Sequence, residues 1–122
     1  MYLLDSSVAI EMIMAKQRGE ASRSFIGNEE VAVTPFTIHE LIVGLEKNDE
    51  ARQKFLDSIN IVDYNKDCSK ISGNICKDMM EKGSVIGVID AFIASVAIAN
   101  NLKLITFDKD FLKVEGLNVK VL

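Results

Sequence analysis

Apolar residues along the chain fall into short runs rich in Val, Ile and Leu, which are separated by longer stretches with helical spacing. Short runs of this kind predict strands, and they occupy residues 2–4, 31–33, 59–64, 102–107 and 117–122. Strands that are apolar along their length are typical of a parallel sheet that is buried on both faces. The pattern therefore predicts a mostly parallel sheet of four to five short strands.

The segments between these strands predict helices. They cover residues 6–14, a short helix within 16–30, 37–45 or beyond, 49–58, 67–82 and 85–99, with a helical turn at 110–114. Thr37 and Glu40 have the spacing of a capping box, which predicts that one helix opens at Thr37. Strands that alternate with helices in this way predict an α/β fold in which helices flank the central sheet.

The helix predicted over residues 85–99 is the most apolar segment of the chain. Only Gly87, Asp90 and Ser95 interrupt its apolar run, so the helix is expected inside the core rather than on the surface. A carboxylate near the start of a buried helix is costly unless a charged or hydrogen-bonding group meets it. Asp90 is therefore a candidate functional residue.

Further acids stand at the boundaries of other elements. Asp5, Asp63 and Asp108 lie at the carboxyl ends of predicted strands, and Glu40 and Asp90 lie in the first turns of predicted helices. In a parallel sheet with right-handed crossovers, strand carboxyl ends and helix starts share one edge, where ligand sites form. These acids are therefore expected to converge at that edge.

Each acid also has a purely structural interpretation. Asp5 suits an N-cap and Glu40 suits a capping box, whereas Asp63, Asp108 and Asp110 suit surface turns. Together, however, carboxylates at one edge repel one another unless a cation lies between them. Oxygen ligands without Cys or His suit Mg²⁺ or Mn²⁺. Such ions polarise phosphoryl groups and lower the pKa of a bound water, so this chemistry favours phosphodiester hydrolysis.

Other catalytic motifs find no support in the sequence. His39 is the only histidine and has no plausible nucleophile beside it, so Ser-His-Asp and Cys-His chemistry lacks its base. The chain also lacks a Gly-x-x-x-x-Gly-Lys-Ser/Thr phosphate loop and a Gly-x-Gly-x-x-Gly motif. Cys68 and Cys76 do not have the spacing of zinc ligands, and we expect both to be reduced.

The composition of the 122 residues indicates one globular domain that spans residues 1–122. The formal net charge of −4 argues against a surface that grips nucleic acid through phosphate contacts alone. If four carboxylates bind a cation, the remaining acids equal the Lys and Arg residues in number.

The chain start has no basic signal segment, and the longest apolar run is too short to span a bilayer and contains Asp90. We therefore expect a cytoplasmic protein.

Four stretches of the chain resemble the motifs of one family. They are Tyr2-Leu3-Leu4-Asp5-Ser6-Ser7, Thr37-Ile38-His39-Glu40-Leu41-Ile42-Val43-Gly44, Asp90-Ala91-Phe92-Ile93-Ala94, and Thr106-Phe107-Asp108-Lys109-Asp110-Phe111. Each piece is weak alone, but all four occur in order and at ordinary spacing within one short chain. On these residues the chain resembles the PIN-domain ribonucleases of the VapC toxin type, from type II toxin–antitoxin modules.

The resemblance implies a PIN-like three-layer sandwich, in which helices flank the sheet, and an endoribonuclease that depends on Mg²⁺ or Mn²⁺. It implies catalytic and metal-binding roles for Asp5, Glu40, Asp90 and Asp108. The supporting residues that it implies are Ser6 and Thr106, which act through hydroxyl hydrogen bonds. Asp110 is a further supporting candidate because it is also acidic, and whether it shares or replaces part of the work of Asp108 stays open. The resemblance also implies an RNA substrate, a homodimer, and a cognate antitoxin that wraps the toxin and blocks the acidic site.

Two alternatives remain open at this point. The first is a PIN-like binding module without catalytic activity, because an intact set of ligands does not prove turnover. The second is a receiver-like phosphoacceptor domain that uses Mg²⁺, in which Asp63 would be phosphorylated. Such domains usually carry two adjacent acids after the first strand, whereas Asp5 stands alone here. The few arginines, which are Arg18, Arg23 and Arg52, leave the surface that grips RNA unidentified.

Overall fold

The computed structural model describes residues 1–46 and 49–122, and over these residues the chain forms five strands and six α-helices. The strands are β1 (Tyr2–Leu4), β2 (Val31–Val33), β3 (Asn60–Ile61), β4 (Lys103–Thr106) and β5 (Val119–Val121). The helices are α1 (Ser6–Ile13), α2 (Gln17–Ile26), α3 (Pro35–Gly44), α4 (Glu50–Ser58), α5 (Lys66–Glu81) and α6 (Val88–Ala99), with a 3-10 helix at Lys109–Lys113.

The strands form one sheet in the order β3-β2-β1-β4-β5, and every neighbouring pair is parallel. The first strand therefore lies in the centre, where Leu3 is paired with Ala32 on one side and Leu104 on the other. The predicted mostly parallel sheet is confirmed. The predicted strands at 59–64 and 117–122 are too long, because β3 and β5 lie at the sheet edges, where only one neighbour offers backbone partners.

Each face of the sheet is covered by helices, because successive side chains along a strand point to opposite faces. Leu3 and Leu104 pack with residues of α5 and α6 in one buried cluster. Leu4 and Ile105 pack with residues of α1, α2 and α4 in the other. The predicted three-layer α/β architecture is confirmed, and the carboxyl ends of the central strands emerge between the two helical layers.

The most apolar predicted helix is buried through its middle but is shorter than predicted. Helix α6 begins at Val88, and its buried residues include Ala91 and the run from Ile93 to Ala97. Val85 precedes the helix and is 82% exposed. The placement of this helix in the core is therefore confirmed except at its start, where Asp90 lies in the first turn.

The predicted capping box is wrong. Thr34 is the N-cap of α3, and Pro35 occupies the first turn, where a missing N–H costs no hydrogen bond. The Thr34 hydroxyl accepts a hydrogen bond from the Thr37 backbone N–H at 3.3 Å. Glu40 consequently lies in the second turn rather than the first, and its side chain is free for another partner. The helix ends at Gly44, and Lys47 and Asn48, which a longer helix would include, lie outside the described residues.

None of the helices that the structure describes is long and apolar enough to cross a membrane.

Candidate active site

Asp5 lies at the carboxyl end of β1 and is only 5% exposed. Its Oδ1 accepts a hydrogen bond from the Ser6 backbone N–H at 2.8 Å, which makes it the N-cap of α1. Its Oδ2 accepts hydrogen bonds from the Thr106 hydroxyl at 2.7 Å and the Ser7 hydroxyl at 3.0 Å. Burial raises the pKa of Asp5 and the nearby charge of Glu40 adds to this rise, whereas these hydrogen bonds oppose it. Asp5 is therefore held in one orientation by three donors.

Two hydroxyls join the ends of β1 and β4. Thr106 is fully buried, and its Oγ1 donates to Asp5 and accepts from the Asp108 backbone N–H at 3.0 Å. The Ser7 hydroxyl donates to Asp5 and accepts from the Phe107 backbone N–H at 3.3 Å. Ser7 was not among the predicted site residues. Its signal in the sequence was a second hydroxyl residue after the acid that ends a strand.

Glu40 is half-buried on α3 and faces the start of α1. Its Oε1 accepts a hydrogen bond from the Ser6 hydroxyl at 2.6 Å. The same hydroxyl lies 3.4 Å from the Thr37 Oγ1, and Thr37 is fully buried. Glu40 is therefore fixed by a residue adjacent to Asp5, which brings α3 to the same edge of the sheet.

Asp90 lies among the other acids of this edge. Its own burial is the largest cause that raises its pKa, to about 6. The negative charges of Asp5, Asp108, Glu40 and Asp110 raise it further, in that order of size. The negative charges that act on Asp90 are thus those of the other acids at this edge. The N-cap of its helix is Gly87, which has no side chain to offset this repulsion.

Asp108 and Asp110 lie further toward the solvent. Asp108 follows β4, and its Oδ1 accepts a hydrogen bond from the Asp110 backbone N–H at 2.8 Å, which caps the 3-10 helix. Asp110 is exposed, and its Oδ1 lies 3.2 Å from the Lys113 ammonium. The charge of Asp110 is thus partly offset by Lys113, whereas Asp108 has no ion pair within the part of the chain that the structure describes.

Some acids and motifs noted in the sequence are not part of this group. Asp63 follows β3 at the sheet edge and is exposed, and His39 is exposed on α3. Cys68 is buried and Cys76 is half-buried, and neither forms a disulfide within the described residues.

The donor chemistry of the acidic edge fits a hard divalent cation, because every candidate ligand is a carboxylate oxygen. Within residues 1–46 and 49–122, however, no three acidic, histidine or cysteine side chains are arranged as a ready-made ligand set. Mg²⁺ is commonly held by one or two carboxylates together with water and substrate phosphate. The repulsion that raises the pKa of Asp90 is the feature that such a cation would relieve.

The comparison with known families covers nearly the whole chain. The sequence profile of the PIN domain matches residues 2–117. The matched residues include every acid described above. The chain therefore belongs to the PIN-domain family.

Relatives within this family narrow the class. Ribonuclease VapC2 of Rickettsia felis is 31% identical over 97 residues, which cover 74% of this chain and 72% of that protein. The tRNA(fMet)-specific endonuclease VapC of Shigella flexneri is 25% identical over 126 residues, which cover 98% of this chain and 96% of that protein. Within its family the chain is a ribonuclease of the VapC toxin type, from a toxin–antitoxin system.

A solved structure supports the same classification of the chain. The crystal structure of VapBC2 from Rickettsia felis, bound to a DNA fragment from their promoter, contains a chain that matches with a TM-score of 0.83. The two chains are 26% identical, and the match covers 99% of this chain and 98% of the other. These relationships favour the ribonuclease over the receiver-like alternative.

Proposed function

We propose that this protein is an endoribonuclease, which hydrolyses internal phosphodiester bonds of RNA with the help of Mg²⁺ or Mn²⁺. The residues that we assign to this reaction are Asp5, Glu40, Asp90 and Asp108. The observation that carries the proposal is the hydrogen-bond network at the carboxyl edge of the sheet, in which Ser6 holds Glu40 and Thr106 joins Asp5 to the backbone of Asp108. The raised pKa of Asp90 agrees with negative charge around it. A carboxylate cluster of this kind destabilises the metal-free fold, and a bound cation offsets that cost.

The four acids have different surroundings, which suggest different roles. Asp5 is buried and oriented by Thr106, Ser7 and the start of α1, so we assign it to hold the cation in a fixed position. Asp90 and Asp108 are half-buried and would complete the ligand set. When bound, the cation supplies positive charge to the phosphate and lowers the pKa of a water.

Glu40 is tethered by the Ser6 hydroxyl, whereas Asp5 and Asp108 each accept a hydrogen bond from a backbone N–H. The 2.6 Å hydrogen bond from Ser6 keeps its Oε1 beside Asp5 and leaves its Oε2 for a further contact. We assign Glu40 to hold or orient the attacking water and to accept its proton. Ser6 and Thr106 are positioning residues in this scheme, and Asp110 contributes charge from the rim.

The partners of this protein follow from its class. The crystal structure from Rickettsia felis is of a VapBC2 pair, and we propose that this chain likewise binds a cognate antitoxin, which covers the acidic site. We further propose that the toxin is a cytoplasmic homodimer and that residues 1–122 form a single domain. Sedimentation equilibrium of the purified toxin tests the dimer, and a monomer at all concentrations would contradict it.

The proposal is tested by cleavage of total RNA. Purified antitoxin-free protein is incubated with Mg²⁺ or Mn²⁺, beside an EDTA control and the Asp90→Asn and Asp63→Asn variants. We expect Asp90→Asn to lower the rate by at least about 100-fold, because its carboxylate belongs to the site. Asp63→Asn removes an exposed acid that follows the lateral strand β3 and lies outside the acidic group. This variant is expected to cleave RNA at the wild-type rate.

The outcomes separate the remaining alternatives. Cleavage that requires both the metal and Asp90 supports the nuclease and this site. Cleavage by Asp90→Asn at the wild-type rate contradicts the site assignment. A folded wild-type protein that cuts no RNA with either metal supports the non-catalytic binding module instead.

A further inference from the structure

The guanidinium of Arg18 lies over an aromatic ring beside the acidic site. Its guanidinium carbon is 3.9 Å from the centroid of the Phe107 ring. Phe107 directly precedes Asp108 in the chain, and its backbone N–H donates to the Ser7 hydroxyl that also holds Asp5. The Arg18 guanidinium thus packs on Phe107, whose backbone N–H belongs to the hydrogen-bond network of the site.

The direction of α2 explains why Arg18 reaches this edge. Near its start the helix touches Phe107, which follows β4, and near its end Phe25 stacks on Tyr2 at 5.8 Å between ring centroids. Tyr2 opens β1, so α2 runs from the carboxyl edge of the sheet toward the amino edge. Its first turn therefore lies on the side of the molecule where the acids converge.

A close helix crossing fixes this position. A Cβ atom built on Gly19 would lie 2.3 Å from the backbone oxygen of Glu11, so only glycine allows α2 to approach α1 this closely. Gly19 is the residue after Arg18, and it is buried. The backbone that carries Arg18 is therefore held by packing, and its side chain starts from a defined point.

The contacts of Arg18 within the protein leave much of its guanidinium free. Its Nη1 lies 3.9 Å from Glu11 Oε1, and the Arg18 side chain is 58% exposed. An exposed pair at this distance contributes little to stability. The stacking on Phe107 uses one face of the guanidinium and leaves N–H groups at its edge to bind another acceptor.

We propose that Arg18 binds a backbone phosphate of the RNA strand next to the acidic site. This inference rests on the proposed ribonuclease function and extends it to the substrate. The acids at this edge repel the phosphates of RNA, so a positively charged side chain beside them is needed to hold the strand near the site. The planar fork of an arginine suits phosphate oxygens, and the Phe107 ring limits the orientations that the guanidinium adopts before RNA binds.

Kinetics of matched variants test the inference. The substrate is the RNA fraction that the wild-type protein cleaves, and the variants are Arg18→Gln, Arg18→Lys and Arg23→Gln. Arg23 is on the same helix and donates to the backbone carbonyl of Met12, so Arg23→Gln has the same change in charge and also loses a contact between α1 and α2.

For Arg18→Gln we expect KM to rise about tenfold with kcat within about twofold, since a charge-assisted contact to the bound strand is lost. The slope of log KM against log salt should fall by about 0.7, the value for one phosphate contact on a single strand. Arg18→Lys should keep most of the salt dependence. If Arg18→Gln and Arg23→Gln have the same KM and salt slope, the inference is wrong.

A second measurement needs no variant and so does not depend on the folding of Arg18→Gln. The wild-type protein in EDTA is treated with phenylglyoxal, which modifies arginine, with and without an excess of single-stranded RNA about 12 nucleotides long. Mass spectrometry then compares Arg18 with Arg23. Protection of Arg18 alone supports the inference, and equal reaction of Arg18 in both samples overturns it.

These results are separable from failure of the proposed function. A wild-type protein that cuts RNA, with an unchanged Arg18→Gln variant, removes only the role of Arg18. A wild-type protein that binds RNA with Arg18 protected but never cuts it removes the nuclease and keeps the phosphate contact.

Discussion

Thr106 connects two of the acids through one hydroxyl. It donates to Asp5 and accepts from the backbone N–H of Asp108, and it is fully buried. We predict that Thr106→Val loses about 1–3 kcal/mol of unfolding free energy, because a buried carboxylate and a backbone N–H both lose a partner. We also predict a fall in kcat/KM of about tenfold, because Asp5 is no longer held.

Thr106→Ser is the matched control for this prediction, because serine restores the hydroxyl. Denaturant unfolding and RNA cleavage are measured for both variants. If Thr106→Val and Thr106→Ser lose the same activity, the hydrogen bond is not what positions Asp5.

The raised pKa of Asp90 predicts how stability depends on pH in the metal-free protein. A folded pKa of about 6, against 3.8 for an unperturbed group, means that the folded state holds the Asp90 proton more tightly than the unfolded state. Between these values the folded state binds more protons, so the contribution of Asp90 to stability falls as pH rises. Asp90→Asn removes this effect because asparagine carries no charge.

We therefore predict that Asp90→Asn melts about 2–5 °C above the wild type at about pH 7.5 in EDTA. At about pH 4.5 most of the folded wild-type protein already carries the Asp90 proton, so the difference should shrink. Differential scanning calorimetry at both pH values measures it. A gap that is equal at the two pH values would show that charge repulsion at Asp90 is not its cause.

At the scale of single residues, the sequence indicated which acids lie at strand ends and helix starts, but it indicated only part of their hydrogen bonding. The acids could be found because a strand end or a buried helix start makes a carboxylate conspicuous. The Ser7 hydroxyl stands close to Asp5 in the sequence, but its second partner could not be found, because Phe107 is 100 residues away in the chain. Hydrogen bonds between distant residues depend on strand order, which local patterns do not contain.

At the scale of elements, the crossing of α1 and α2 depends on Gly19. We predict that Gly19→Ala loses about 1–3 kcal/mol of unfolding free energy, since the added methyl would overlap the backbone oxygen of Glu11. Gly73 lies in the exposed middle of α5 with nothing within 4 Å of an added Cβ atom. Gly73→Ala is therefore expected to gain about 0.5–1 kcal/mol, as alanine favours helix.

Urea unfolding of the two variants checks this prediction. Equal effects at Gly19 and Gly73 would mean that helix propensity alone decides both results, and that the close crossing does not matter.

The start of α3 shows what limits the prediction of an element from its sequence. Both Thr34 and Thr37 precede apolar helical positions, and the Thr37–Glu40 spacing favoured the later start. The structure starts the helix at Pro35, since proline suits the first turn and Thr34 supplies the cap. The N-cap lies three residues earlier than predicted, which moves Glu40 from the third to the sixth helical position and so changes it from a capping acid into a partner of Ser6.

At the scale of the whole molecule, the acidic edge predicts that a divalent cation stabilises the fold. We predict that Mn²⁺ at millimolar concentration raises the melting temperature of the wild type by about 2–5 °C, because an ion that binds only the folded state shifts the equilibrium toward it. Asp90→Asn should lose most of this shift. A shift of the same size in both proteins would mean that the ion binds elsewhere.

The architecture was predictable to the level of layers but not of strand order. Alternating apolar runs and helical segments indicate a parallel sheet between helices, and the structure confirms this. Which strand lies in the centre depends on the handedness and length of each crossover, which the apolar pattern does not encode. The placement of β1 between β2 and β4 is what brings Asp5 within reach of Thr106.

The central position of β1 has a consequence for how the protein is made in the cell. A ribosome releases β1 early, yet the hydroxyl that orients Asp5 is 101 residues further along the chain. Until Thr106 has emerged, the nascent polypeptide carries Asp5, Glu40 and Asp90, but the acidic site at the carboxyl edge of the sheet is not assembled. The translation machinery is thus exposed to the assembled nuclease only after Thr106 has left the ribosome, and ribosome-bound chains stalled before Lys103 should show no cleavage of RNA.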